Sequence, residues 1–428
     1  MSASLQELLV TGSPDGCITA YDASTGFRAA QFKGSRTPRK GLTLIAKRFI
    51  AASHVCPETG NGYIHLYNWW SSTPFYKFPM PEPVAPLLPT PDGSYLLAGG
   101  VSGQIHSVSI PSGDVILSVA AHSKPITCLE MNDDGSLIFS GSDDGIISVF
   151  ALHQLLDYSL SCQNPVHLSA LQTFIGHESS ITAIATGSNC AIVSSSLDCT
   201  CKFWSLMKKT PLISITFPCT IWDLKMDPLE SLFYGVGSDG FVYSGKLQVT
   251  SRNRAKQGIE IVPWSCEKQD KPLTSMATIF RGDYVVTASE DGNICFWDAR
   301  NGELIKFLDR KQTGSISHLV VLTGLDGHEN VRAAAHLGRR IDRNVGGFHR
   351  WDLKGKMESF EVMEQKMELE KELAVAVMER KRSIDTLELA LGGYEKLLKL
   401  ILREVRAAGA TSTSGVIEDE NIKTNQMQ

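Results

Sequence analysis

Apolar and polar residues alternate along most of the first 300 positions of this 428-residue chain, in short runs separated by small or acidic residues. Alternation with a period of two is typical of a β-strand, whose successive side chains point to opposite faces. Four runs share one order: an apolar segment, a hydroxyl residue, an acidic turn, and a second segment ending in an aromatic residue. They span residues 8–21, 138–150, 192–204 and 285–297.

The spacing inside these four runs is constant. An aspartate stands six residues before the final aromatic residue, and a serine or threonine stands four residues before the aspartate. These members are Thr11, Asp15 and Tyr21; Ser140, Asp144 and Phe150; Ser194, Asp198 and Trp204; and Thr287, Asp291 and Trp297. Three looser copies lie at 60–67, 98–108 and 235–245, so that seven turns recur at intervals of 41 to 54 residues. This recurrence predicts a repeat fold of seven similar sheets.

Asp-Gly pairs mark several of the turns, for example at Asp144-Gly145 and Asp291-Gly292. A two-residue hairpin turn needs positive φ, which glycine adopts at little cost. The aspartate side chain can accept hydrogen bonds from the turn backbone. The pairs therefore predict tight hairpins inside each copy.

The interval and content of the copies resemble WD40 propeller blades, which are similar to one another in a buried network of histidine, serine or threonine, aspartate and tryptophan. That resemblance implies one complete network and a second network in which Phe150 replaces the tryptophan and cannot donate a hydrogen bond. It also implies an aspartate–tryptophan pair in the seventh copy. Their members are His177, Ser194, Asp198 and Trp204; His122, Ser140 and Asp144; and Asp291 and Trp297. Histidine, serine and aspartate also form hydrolytic triads, but a buried arrangement that recurs between blades is expected to be structural.

The predicted fold is all-β: a seven-bladed WD40 β-propeller over residues 1–355, followed by a long C-terminal α-helix. Its first copy starts at residue 8, too late to include a leading strand of its own. Residues 316–322 and 347–353 follow the seventh copy, and we expect this late segment to close the ring against the N-terminal strands. An extra partial blade is the alternative.

Residues 356–407 change to a helical period. Nine apolar or aromatic positions recur at steps of three and four residues, the spacing of a coiled-coil seam, and only Arg380 interrupts them. They are Leu373, Val377, Ile384, Leu387, Leu391, Tyr394, Leu398, Ile401 and Val405. Because this stripe is too long for one blade to cover, a second copy of the helix or another subunit is its expected partner. Gly392-Gly393 marks a kink or close backbone approach, or else a break into a helical hairpin.

The rest of the sequence favours a non-catalytic protein. The formal net charge of −5 argues against a general nucleic-acid or membrane surface. Two basic stretches, 33–41 and 338–350, are candidates for weak RNA contact, although solvated surface charge is the favoured interpretation. The inserts 152–169 and 251–272 are binding loops or tolerated surface insertions. Residues 408–428 are polar and predicted to be disordered.

No motif for a metal, nucleotide or other cofactor is found, and no signal peptide or transmembrane run is predicted. The ten cysteines include no C-x-x-C pair and are interpreted as reduced core thiols of a protein of the cytosol or nucleus. Cys199 and Cys201 are expected on one face of a strand.

Beyond the general blade pattern, residues 7–26, 89–115 and the region around 391–398 resemble the WD-repeat protein 18 family. The resemblance implies a non-catalytic subunit of a Rix-type complex, which acts in the nucleus on pre-60S ribosomal particles and in processing of the second internal transcribed spacer. It implies a large helical-repeat subunit and other pre-60S assembly factors as partners, and a homodimer. The alternative is a WD40 adaptor of another assembly, such as a ubiquitin-ligase substrate receptor or a chromatin or replication-licensing subunit.

Overall fold

Seven four-stranded antiparallel sheets make up the described part of a computed structural model of the chain. The structure describes residues 7–69, 71–156, 168–187, 191–206, 208–227, 231–246, 261–265, 271–309 and 314–323. The first strands of successive sheets contact one another in turn around a closed ring. The seven blades predicted from the repeat are therefore present.

Blade 1 takes its strands from both ends of the described chain, and blades 2 to 7 each use four consecutive strands. Blade 1 contains β1 (Glu7–Gly12), β2 (Ile18–Asp22), β3 (Arg28–Phe32) and β28 (His318–Thr323). Blade 2 contains β4 (Leu42–Ile45), β5 (Phe49–Val55), β6 (Gly62–Asn68) and β7 (Tyr76–Pro79). Blade 3 contains β8 (Val84–Pro89), β9 (Tyr95–Gly100), β10 (Gln104–Ser109) and β11 (Val115–Ala120).

The remaining blades follow the same order from the ring centre outward. Blade 4 contains β12 (Ile126–Met131), β13 (Leu137–Ser142), β14 (Ile146–Ala151) and β15 (Gln172–Ile175). Blade 5 contains β16 (Ile181–Thr186), β17 (Ala191–Ser196), β18 (Thr200–Ser205) and β19 (Lys208–Thr216). Blade 6 contains β20 (Ile221–Met226), β21 (Leu232–Gly237), β22 (Val242–Lys246) and β23 (Ile261–Trp264). Blade 7 contains β24 (Leu273–Ile279), β25 (Tyr284–Ser289), β26 (Ile294–Asp298) and β27 (Leu304–Leu308).

The ring closes where β28 pairs antiparallel with β1, with Glu7 opposite Thr323 and Gly12 opposite His318. β28 supplies the innermost strand that the first copy lacks, which confirms the expectation for residues 316–322. Closure in this way leaves no inner edge exposed at blade 1. Residues 347–353 lie outside the described residues.

Both faces of every blade are buried, so neighbouring positions of one strand can both be apolar. Val285 and Val286 are adjacent on β25, yet Val285 packs between blades 6 and 7 while Val286 packs between blades 7 and 1. Seven apolar clusters occur in the described ring, one at each junction of two neighbouring blades. Each large apolar side chain so buried contributes about 1.5–3 kcal/mol to stability.

The predicted Asp-Gly hairpins are confirmed in blades 4, 6 and 7, where the glycine after the aspartate has a φ of 77° to 88°. Blade 5 has Cys199 at this position with a φ of 60°, an unusual conformation for a residue with a side chain. Cys199 therefore lies in the turn before β18, and the expectation that it shares a strand face with Cys201 was wrong. The Asp15-Gly16 pair of blade 1 differs from the pairs in blades 4, 6 and 7, because Gly16 has no positive φ and Ser13 Oγ accepts its N–H at 3.0 Å.

The two inserts contribute to the blades where they are described. A short helix, α1 (Leu152–Leu155), follows β14 and buries Leu155 between blades 3 and 4. Residues 261–264 form the outermost strand of blade 6, so this part of the second insert is a structural strand rather than a loop. The predicted helix 356–407, the tail 408–428 and the basic stretch 338–350 lie outside the described residues.

Candidate functional site: blade networks and channel mouth

Blade 5 contains the complete network that the sequence predicts. Trp204 Nε1 donates to Ser194 Oγ at 2.8 Å, and Ser194 Oγ lies 2.8 Å from His177 Nε2. His177 Nδ1 lies 2.9 Å from Asp198 Oδ2. A neutral histidine that donates from Nδ1 and accepts at Nε2 satisfies every link in this chain. The network ties the loop before β16 to strands β17 and β18 and to the turn between them.

Burial and hydrogen bonding fix the charges of this network. Burial lowers the pKa of His177, although Asp198 acts in the opposite direction. Burial alone would raise the pKa of Asp198, but hydrogen bonds from Thr200 and His177 outweigh it and lower the pKa to about 2. At neutral pH the histidine is therefore neutral and the aspartate remains negatively charged.

The order Asp198–His177–Ser194 has the hydrogen bonds of a hydrolytic triad, but its serine is inaccessible. Ser194 is fully buried, and its oxygen already accepts the indole N–H of Trp204. A nucleophile must reach a substrate carbonyl, so the arrangement supports the structural interpretation of these residues.

Blade 4 repeats the network without its aromatic donor. His122 Nε2 lies 2.7 Å from Ser140 Oγ, and His122 Nδ1 lies 3.1 Å from Asp144 Oδ2. Phe150 is buried at the position of the tryptophan. Ser140 makes a longer hydrogen bond of 3.4 Å to the carbonyl of Ser148.

Blade 7 brings its predicted members together only in part. Trp297 Nε1 donates to Thr287 Oγ1 at 3.0 Å, as the spacing predicts. Asp291 instead holds its own turn, where it accepts hydrogen bonds from Ser289 Oγ and from Asn293 Nδ2, the latter at 2.7 Å. Asp291 and Trp297 therefore belong to two separate arrangements.

Blade 3 contains a network that the sequence analysis missed, in which an acid takes the loop position of the histidine and the histidine lies on the third strand. Glu82, in the loop before β8, lies 2.8 Å from Nε2 of the buried His106 on β10. His106 Nδ1 lies 2.8 Å from Ser118 Oγ, and Ser102 in the turn donates to Glu82 through Oγ at 2.6 Å. The sequence contains little signal for this network, because the positions equivalent to His106 in the four closely matching copies are Thr19, Ser148, Lys202 and Cys295, which share no side-chain chemistry.

Hydroxyl residues at the start of the inner strands join one blade to the next, and these were also missed. Thr127 Oγ1 donates to the Ile181 carbonyl at 2.6 Å, and Thr182 Oγ1 donates to the Ile221 carbonyl at 2.5 Å. Thr274 repeats the contact to the Ile316 carbonyl at 2.7 Å. The recurring Ile-Thr and Leu-Thr dipeptides at these positions are the sequence signal. Blade 6 has Ile221-Trp222 instead and lacks the hydroxyl.

Arg39 joins blades 6 and 7 where this hydroxyl is missing. It lies in the loop before β4 of blade 2 and reaches across the central channel lined by the innermost strands. Its Nη2 donates to the carbonyls of Trp222 at 3.0 Å and of Thr274 at 3.1 Å, and its guanidinium lies 4.1 Å from the Trp222 ring centroid. Lys40 forms an ion pair of 2.9 Å with Asp223. The interpretation of residues 33–41 as solvated surface charge was therefore wrong for these two cations, because backbone carbonyls and a buried carboxylate bind them in the channel mouth.

Buried ionisable side chains also lie on the innermost strands near this mouth. Burial opposes ionisation of Asp223, yet Lys40 and Lys225 keep its pKa well below the usual range. Ser275 Oγ and the Met276 N–H each donate to Asp223 at 3.0 Å. Burial lowers the pKa of His318 to about 3. Among the described residues, no group of three or more His, Cys, Asp or Glu side chains is arranged to hold a metal.

We expect Ser194→Ala to destabilise the ring more than Ser140→Ala. Loss of the Ser194 hydroxyl leaves both the Trp204 N–H and His177 Nε2 without partners, at a cost of about 1–3 kcal/mol for each buried group. Ser140→Ala removes the bond to His122 and the long bond to the Ser148 carbonyl but leaves no indole N–H unpaired, since Phe150 has nothing to donate. Urea unfolding of the two variants measures the difference, and equal losses would contradict the role assigned to Trp204.

We also expect Arg39→Met to lower the free energy of unfolding by about 2 kcal/mol, because two carbonyls between blades 6 and 7 lose a charged donor. Arg36→Met, in the same loop but at an exposed position, is the matched control and should change stability by less than about 0.5 kcal/mol. Equal unfolding curves for both variants would show that Arg39 does not join the blades.

The nine predicted seam residues of the C-terminal helix lie outside the described residues, so the helix stays a prediction: Leu373, Val377, Ile384, Leu387, Leu391, Tyr394, Leu398, Ile401 and Val405. In the part of the chain that is described, no helix has the length and apolar character needed to cross a membrane.

Comparison with known proteins agrees with the repeat. The WD domain, G-beta repeat family model matches residues 113–150, 168–205 and 264–298. The crystal structure of the computationally designed Ika8 protein is similar in fold, with a TM-score of 0.53 at 20% identity, covering 74% of this chain and 90% of that one.

Three relatives are similar over most of the chain. Protein ROOT INITIATION DEFECTIVE 3 of Arabidopsis thaliana is 32% identical, over 69% of this chain and 66% of its own length. Pre-rRNA-processing protein crb3/ipi3 of Schizosaccharomyces pombe is 22% identical, over 70% and 73%. WD repeat-containing protein 18 of Danio rerio is 23% identical, over 75% and 74%. The chain belongs to the family of WD40-repeat proteins that contains these three relatives.

Proposed function

We propose that this chain is a non-catalytic scaffold subunit of a Rix-type complex that acts in assembly of the 60S ribosomal subunit and in pre-rRNA processing. The observation that carries the proposal is the match, over 70% of the chain, to a relative named for pre-rRNA processing. The polar networks of the blades support a scaffold, because their buried members are hydrogen-bonded to one another rather than directed at a ligand.

The proposal places the chain in the nucleus, in the nucleolus or nucleoplasm, with the cytoplasm as a further location. Its partners are a large helical-repeat subunit and other pre-60S assembly factors, bound through the propeller. Arg39 and Lys40 are engaged inside the channel mouth, so contact with rRNA is weak or made through partner proteins.

The test is to purify the tagged chain from cells and to identify the RNA and proteins bound to it. We expect pre-rRNA that still contains the second internal transcribed spacer, and its accumulation when the chain is depleted. Recovery of cullin adaptors or chromatin subunits without this precursor would instead favour an adaptor of another assembly.

The same proposal includes self-association through residues 356–407. A helix of 33 residues, from 373 to 405, would extend about 50 Å, and its apolar stripe requires a covering surface. We expect deletion of residues 359–407 to leave a folded propeller and to abolish the dimer, as measured by multi-angle light scattering. A dimer that survives the deletion would show that another surface self-associates.

A further inference from the structure

One sector of the ring surface combines exposed apolar side chains with several acidic side chains. It lies on the side that carries the turns between the second and third strands of each blade. We call it the blade 4–6 arc and define it as residues 143–145, 175–180, 197–199, 217–220 and 238–241, all of which are described.

Hydrogen bonds and short contacts make the arc one continuous surface. Ser180 Oγ, before blade 5, donates to Asp143 in the turn of blade 4. The Glu178 N–H donates to Asp198 at 3.1 Å, and Cys199 Sγ lies 3.8 Å from Thr220 Oγ1, before blade 6. The Thr220 carbonyl in turn accepts a backbone hydrogen bond of 2.9 Å from the turn of blade 6.

Three large apolar side chains project along this surface. Ile175 is 67% exposed, Leu197 is 41% exposed and Phe241 is 38% exposed. Leu197 and Phe241 occupy turns, where a polar residue would form the same backbone at no loss of core packing. Neither side chain is among those buried between the blades.

The charge of the arc is negative at every ionisable side chain that carries charge at neutral pH. It contains five carboxylates and no lysine or arginine; the carboxylates belong to Asp143, Asp144, Glu178, Asp198 and Asp239. His177 is the sole histidine in these ranges, and burial keeps its pKa below the usual value, so it does not neutralise them. Phosphate groups of RNA are repelled by such a surface, whereas a basic protein segment is attracted to it.

We propose that the blade 4–6 arc binds a basic protein segment rich in lysine or arginine, whose apolar residues pack on Leu197, Phe241 and Ile175. The cationic side chains pair with the surrounding carboxylates and set the orientation, while the apolar contacts supply most of the buried area. The assignment concerns the chemistry of this surface alone and holds whichever assembly the chain serves.

The test uses the full chain and a fluorescent probe peptide of about 20 residues, a length adequate for a standard interface, in which lysines and leucines alternate in pairs. Fluorescence anisotropy measures its binding at about 50 mM and about 200 mM salt, since exposed charge pairs weaken as salt rises. A peptide with serine for leucine, a peptide with glutamate for lysine, and a single-stranded RNA of equal length are measured in parallel.

Glu178→Lys should weaken binding of the lysine–leucine peptide roughly fivefold, because one exposed attraction becomes a repulsion. Leu197→Ser should weaken it roughly threefold or more by removing an apolar contact. Glu58→Lys is the matched control, since Glu58 is an exposed acid on the blade 2 turn of the same side, and it should leave binding within about 1.5-fold. Unchanged thermal unfolding confirms that the variants are folded.

Any of three results would overturn the proposal. Equal weakening by Glu178→Lys and Glu58→Lys would show attraction to overall charge and not to the arc. Equal binding of the serine-substituted peptide would show that the apolar side chains contribute nothing. Tighter binding of the RNA than of the lysine–leucine peptide would assign the surface to a different class of partner.

Discussion

Burial between neighbouring blades is the interaction on which this structure depends. Each of the seven apolar clusters is built from two blades, so a single sheet has two apolar faces and no core of its own. Such a sheet gains its full stabilisation only when both neighbours are present. The pairing of β28 with β1 completes blade 1 and so covers the last two faces, which makes the segment ending at Thr323 as necessary as any repeat.

Polar satisfaction is a second constraint, and the blades meet it with different residues. Blade 5 uses tryptophan, serine, histidine and aspartate, whereas blade 3 places Glu82 in the loop and His106 on its third strand. At the channel mouth three threonines join successive blades, and Arg39 does so where tryptophan stands instead. In these networks each buried acceptor has a donor, and different side chains supply it in different blades.

The sequence predicted contacts between residues that are close along the chain, but it did not predict contacts between residues that are far apart along the chain. The constant interval from Ser194 to Asp198 and Trp204 reflects neighbouring positions on one hairpin, so the pattern was sufficient to predict the contact. Arg39 could not be placed in this way, because its acceptor at Trp222 lies 183 residues away and becomes a neighbour only when the ring closes. The repeat predicted seven blades, but the sequence of the basic loop 33–41 alone did not indicate that Arg39 and Lys40 bind in the channel mouth.

The placement of charge limits how the ring can meet its partners. A formal net charge of −5 says little by itself, since opposite charges can lie on separate surfaces. Here Lys40 is paired with Asp223 and Arg39 is held by carbonyls, so neither cation is free to offset the carboxylates at the turns. Asp198 stays ionised because Thr200 and His177 hydrogen-bond its charged form, and the same bonds hold the blade together. The contacts that stabilise blade 5 thus also maintain a negative charge in its surface turn, and this charge favours cationic over anionic groups at that turn.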